Sequence, residues 1–111
     1  MVPGAEAAFV SPEKARYLLD ADHLGNGGKA GFFTAFGFQL SLPEALASAL
    51  LATARASVHA TIRVHFGVHY VVIAPIDAPD GRRLWVKAVW RVDDAGGPPR
   101  LVTAYPESPA R

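Results

Sequence analysis

Apolar and polar residues follow two different rhythms along this chain, and the change falls near Ser57. Before it the period is helical. Ser11, Pro12 and Glu13 open a helix with a capping hydroxyl, a proline in the first turn and an acid at the positive dipole end. Ala15, Leu18 and Leu19 then share one helical face, which predicts a helix over residues 11–22. A glycine-rich turn runs from Asp22 to Gly28. Phe32, Phe33 and Phe36 form the stripe of a second helix over 28–36, with Gly37 as its stop. Ser41-Leu42-Pro43-Glu44 has the form of a capping box and predicts a third helix over 42–57.

After Ser57 the period is two. Val58, Ala60, Ile62, Val64 and Phe66 alternate with His59, Thr61, Arg63 and His65, the pattern of a half-buried strand. Val68 to Ile76 predicts a second strand, made irregular by Pro75. Asp77-Ala78-Pro79-Asp80-Gly81 reads as a hairpin turn. Arg82 to Val92 is the third strand, with Leu84, Val86, Ala88 and Trp90 on one face; Trp90 and Tyr70 read as core. Arg100 to Pro106 is the fourth, closed by a proline that cannot donate to a ladder. Helices grouped before strands give an α+β domain: three N-terminal helices on one face of a four-stranded antiparallel meander. Residues 11–106 form the single domain in this reading. Residues 1–10 and 107–111 read as tails.

The last strand carries more chemistry than packing requires. Regular alternation would put Thr103 and Tyr105 on one face and Arg100, Val102 and Ala104 on the other. The net charge of the 111 residues is only +1, yet every fully charged residue inside the predicted strands is basic. Arg83, Lys87 and Arg91 share a face, with Trp85 among them; Arg63 lies on the first strand. These residues read either as a solvated outer face or as a phosphate-binding concavity with a stacking surface.

The remaining composition narrows the chemistry. No cysteine is present, so disulfides, thiol catalysis and thiolate metal sites are excluded. His59, His65 and His69 invite a metal, but no carboxylate or cysteine stands beside them in strand spacing, and no metal or other cofactor is expected. Met1 to Val10 lacks a basic residue and a long apolar run, and no stretch reaches membrane-spanning length. The expectation is a cytoplasmic protein with no membrane partner.

Several motifs recur together: Tyr17-Leu18-Leu19, His23, Gly27-Gly28-Lys29-Ala30-Gly31-Phe32-Phe33, Gly37-Phe38, Gly67 to Tyr70, Asp80-Gly81, Val89-Trp90 and Arg100 to Pro106. In these the chain resembles a small bacterial family of unassigned function, with His69 where that pattern carries lysine. More distantly, its architecture and its Thr-x-Tyr-Pro end resemble the barnase–EndoU–colicin–RelE-like ribonuclease toxins. That resemblance implies metal-independent cleavage of RNA, and as partners RNA and a cognate antitoxin or immunity protein.

Such a reaction needs a base for the 2′-hydroxyl, an acid for the leaving oxygen and cations for the charge on phosphorus. His23, in its glycine-flanked loop, is the acid/base candidate or else an exposed loop histidine. Lys29 holds a phosphate or packs its stem over Phe33. Thr103 orients the phosphate and Tyr105 donates a proton, or Tyr105 is a core aromatic with its hydroxyl at the rim. Arg100 stabilises the phosphorane or is an edge-strand arginine. The competing reading is a non-catalytic RNA- or protein-binding module built on the same sheet.

Overall fold

The computed structural model describes residues 1–20, 22 and 29–107. Three helices precede four strands: α1 (Pro12–Leu19), α2 (Lys29–Ala35), α3 (Pro43–Leu51), β1 (Ala60–Val64), β2 (Gly67–Asp77), β3 (Arg83–Asp93) and β4 (Arg100–Pro106). The strands pair antiparallel in the order β1-β2-β3-β4. This is the expected α+β meander.

The Ser11 cap forms, its Oγ accepting from the Lys14 N–H at 3.1 Å. The capping box at α3 does not. Leu42 occupies the cap position without a side-chain bond, and Ser41 instead contacts Gln39. Helix α3 also ends earlier than its composition suggests, tightening at Leu51 into a 3₁₀ turn over Ala52–Arg55. That turn buries Thr53, whose Oγ1 accepts from Trp90 Nε1 at 3.0 Å. A buried indole N–H needs such an acceptor.

The helices cover one face of the sheet. Leu18, Phe33, Leu46 and Leu50 meet Val72, Val86, Ala88 and Trp90, all inaccessible to solvent. Residues 1–10, expected as a tail, pack as well. Val2 is 0% exposed and donates its N–H to Ala54 O, and Phe9 bridges in parallel to Arg100 on β4. The first residues therefore protect part of an edge that would otherwise lie open.

Pro75 is tolerated within β2 because β1 pairs only with Gly67 to Val71. Beyond that point β2 has no strand on its outer side, and no ladder bond is lost. Strand β1 departs from its expected burial. Ala60, Ile62 and Val64 lie opposite Val71, His69 and Gly67, on the face no helix covers, and Ile62 is 50% exposed. Phe66, expected to continue this strand, instead sits in the β1–β2 turn at φ 61° and is 71% exposed.

Candidate functional site

The uncovered face of the sheet is where the candidate residues gather, and a bulge decides how many do. Val89 pairs with Thr103 but Trp90 with Leu101, so Val102 is an extra residue on β4. Leu101 and Ala104, three apart, are consequently both buried against the helices. Below the bulge the alternation reverses. Arg100, which strict alternation would place opposite Thr103 and Tyr105, therefore shares their face. It pairs with Arg91 as Thr103 pairs with Val89 and Tyr105 with Lys87.

Three of the sequence candidates meet at one end of this face. Helices α1 and α2 both pack along β4, which brings the first residue of α2 to the sheet edge. Lys29 Nζ reaches round that edge and donates to Thr103 Oγ1 at 3.1 Å, joining residues 74 positions apart. The same ammonium lies 5.6 Å from the centre of the Tyr105 ring and 5.4 Å from that of Tyr17 on α1. Lys87 Nζ stands 5.9 Å from the Tyr105 ring and pairs with Glu107 at 3.2 Å. Two ammonium groups thus flank one phenol beside a hydroxyl. Cation–π contact fixes the side chains while leaving the charges close to solvent. An anion arriving here would meet the Lys29 ammonium beside the Thr103 hydroxyl and the Tyr105 ring, with Lys87 already paired to Glu107.

The other candidates lie elsewhere. Arg100 donates from Nη1 to Asp93 Oδ2 at 2.7 Å, and Arg91 donates from Nε to Asp93 Oδ1 at 2.6 Å. These two hydrogen bonds hold the Asp93 carboxyl below the usual carboxylate range. His69 faces Arg91 across the β2–β3 ladder. Its imidazole is driven below its ordinary pKa, first by burial and then by the charges of Arg91 and Arg100. Arg83, Trp85, Lys87 and Arg91 share the uncovered face, as the alternation of β3 requires. Arg83 pairs with Asp77 at 3.2 Å at its outer end. Arg63 does not join them. It lies opposite Val68, on the side of the sheet that Trp90 faces, and pairs with Asp94 at 2.6 Å. His23 lies outside the described residues. Among the described residues no group of three histidine or carboxylate side chains is placed to hold a metal.

Sequence reasoning passed over three participants. Tyr17 was visible only as part of a helix motif, and Glu107 falls in the stretch expected as a tail. Asp93 stood in a predicted loop, although its place just beyond the basic strand was a signal that it caps that charge.

The family described as a domain of unknown function, DUF6883, matches residues 1–108. No curated protein sequence matches the chain. Among solved structures, the chain is similar to one in the contact-dependent growth inhibition toxin–immunity protein complex from Klebsiella pneumoniae 342. The TM-score is 0.71 at 15% identity, over 97% of this chain and 100% of that one. Likeness at that identity is a likeness of fold. No helix among the described residues is long and apolar enough to cross a membrane.

Proposed function

The chain belongs to the DUF6883 family, and we propose that it is a toxin-type endoribonuclease working without metal, with its site at the Lys29–Thr103–Tyr105 end of the uncovered face. One observation carries this reading. The helical half delivers an ammonium to a hydroxyl and a phenol on the last strand, with a second ammonium at the same ring. A fold needs none of that to close its core, whereas a phosphodiester uses cations and proton donors of this kind.

In this mechanism the RNA 2′-oxygen attacks the adjacent phosphorus while the bond to the 5′-oxygen breaks, leaving a cyclic phosphate and a free 5′-hydroxyl. His23 and Tyr105 divide the proton transfers, one taking the 2′-hydroxyl proton and the other protonating the departing 5′-oxygen. Lys29 stabilises charge on the non-bridging oxygens, and Thr103 orients the phosphate. Lys87 lies close enough to add to the same field. The likeness to a chain of a contact-dependent growth inhibition toxin–immunity protein complex supports a toxin role and a cognate immunity protein as partner; cytoplasmic RNA would be the substrate.

The test is to incubate purified protein with total RNA in chelator and to identify the new ends. Fragments ending in a cyclic phosphate are expected, with a ~10²–10⁴-fold slower rate in His23→Ala. RNA that stays intact at high protein concentration contradicts the reading and favours a binding module. Cleavage that requires added divalent metal contradicts the mechanism.

A further inference from the structure

At the opposite end of the uncovered face from Lys29, two guanidinium groups share a single carboxylate. Arg91 and Arg100 both donate to Asp93, so the trio keeps an unbalanced positive charge. His69 lies directly across from Arg91, and its imidazole is disfavoured from taking a proton first by burial and then by the charges of Arg91 and Arg100. Arg91 is held in place from a second side, because its Nη2 donates to the His65 carbonyl at 2.7 Å. The guanidinium fits there because residue 67 is glycine. A Cβ at that position would come within 3.0 Å of Arg91 Nη2 and 2.9 Å of the Val92 carbonyl oxygen.

The turn beside this cluster holds an exposed aromatic in a costly conformation. Phe66, the one described residue other than glycine at positive φ, is 71% exposed. Its ring centre lies 4.0 Å from that of His65, and its carbonyl accepts from Asp94 N–H at 2.9 Å. A bulky side chain in the left-handed region gives up stability that asparagine or glycine would keep. Observed strain of this kind points to a function for the side chain it presents. Here the side chain is a flat exposed ring on the residue that follows His65, whose carbonyl holds Arg91.

Resting on the ribonuclease reading above, we propose that this end is a second nucleotide subsite, where Arg91 and Arg100 hold a backbone phosphate of single-stranded RNA and Phe66 stacks on a base. The Arg91/Arg100 row is separated from the Val89/Thr103 row by two residues of β3, about 7 Å along the strand. From Lys87 to Arg91 the distance doubles. Cation groups spaced along the strand in this way match successive phosphates of an oligomer lying along β3. Val71 and Val89, almost fully buried between the two ends, form the floor it crosses. Fork-shaped donors suit phosphate oxygens, and stacking on an aromatic is tolerant of sequence. The unbalanced positive charge favours RNA over a protein of mixed charge.

The experiment measures binding of labelled 2′-O-methyl oligoribonucleotides, two and eight nucleotides long, across a salt series. These oligomers lack the attacking hydroxyl, so binding is read apart from cleavage. For the octamer, Arg100→Gln is expected to lower affinity several-fold and to reduce the slope of log affinity against log salt by about 0.7, the value of one single-strand phosphate contact. Arg100→Lys should restore the slope but only part of the affinity. Phe66→Asn should weaken octamer binding roughly 5- to 100-fold. It should also raise the melting temperature, which separates lost stacking from lost folding. The dinucleotide, with one phosphate, should show none of these losses.

Octamer affinity and salt slope equal to wild type in both Arg100→Gln and Phe66→Asn would overturn the subsite, as would an octamer that does not bind at low salt. If RNA is cut but these variants bind normally, the subsite falls and the nuclease reading stands. If the variants lose binding and RNA is never cut, the subsite stands and the nuclease reading falls.

Discussion

The two faces of strand β3 meet different surroundings. Leu84, Val86, Ala88 and Trp90 face the helices and are buried. Trp85, Lys87, Val89 and Arg91 face away, under no helix, and only Val89 among them is buried. One period-two run thus supplies both the stabilising surface and the one proposed to be reactive. Chemistry on the open face is held by neighbours on the same face: Lys87 by Glu107, Arg91 by Asp93 and the His65 carbonyl. A change on one face should therefore leave the other's property largely intact.

The harshest test of that division is Trp90→Ala. It removes the largest buried side chain and leaves the Thr53 hydroxyl without its donor. The expected loss is about 3–5 kcal/mol, read as a lower urea midpoint. Any fraction that stays folded should retain the RNA binding proposed for the open face. If Trp90→Ala instead kept full stability but lost binding, the assignment of the two faces would be reversed.

The covered face was legible because its signal is local. The Ser11 cap, the Leu18–Leu19 stripe and the alternation of β3 each depend on residues within a turn or two. The open face was legible only in part. Counting alternate residues back from Pro106 misplaces Arg100, since a bulge at Val102 depends on pairing with β3 rather than on β4 itself. The alternation of β1 was real, but nothing local says which side of the sheet will be covered. Likewise, no spacing rule reveals that Lys29 meets Thr103 across 74 residues. Both residues stand in motifs, and only topology could bring them together.

A smaller effect is expected from Gly67→Ala, which adds one methyl on the open face. The Cβ would press on the Arg91 guanidinium and on the backbone carbonyl of Val92, and the second cannot swing away. A cost of about 1–3 kcal/mol follows, together with weaker binding of long oligomers. A melting temperature equal to wild type would mean that β2 and β3 can part at this corner without penalty.

Smallest is the contribution of acid. Asp93 has its pKa lowered by hydrogen bonds from Arg91 and Arg100, so the fold prefers its charged form. Its stabilisation is present above the ordinary carboxylate range, about pH 4, and disappears as pH falls through the lower folded value. Wild type should exceed Asp93→Asn in urea midpoint at pH 6, with the gap closing below about pH 4. His69 acts in the opposite sense to a stabilising histidine. Because its folded pKa is depressed, stability declines as pH drops below about 6.5, where the unfolded chain binds the proton more readily. A gap between wild type and Asp93→Asn that widened on acidification would contradict the geometry at that corner.

Whether the Lys29–Thr103–Tyr105 end of the open face cleaves RNA, as proposed, is decided by Lys29→Met. Methionine keeps an apolar stem between the two tyrosine rings and removes the charge and the bond to Thr103. In chelator, with total RNA as substrate, cleavage should fall ~10²-fold or more while the melting temperature stays close to wild type. Unchanged cleavage by a folded Lys29→Met protein would rule this end out as the site and place the reaction elsewhere on the chain.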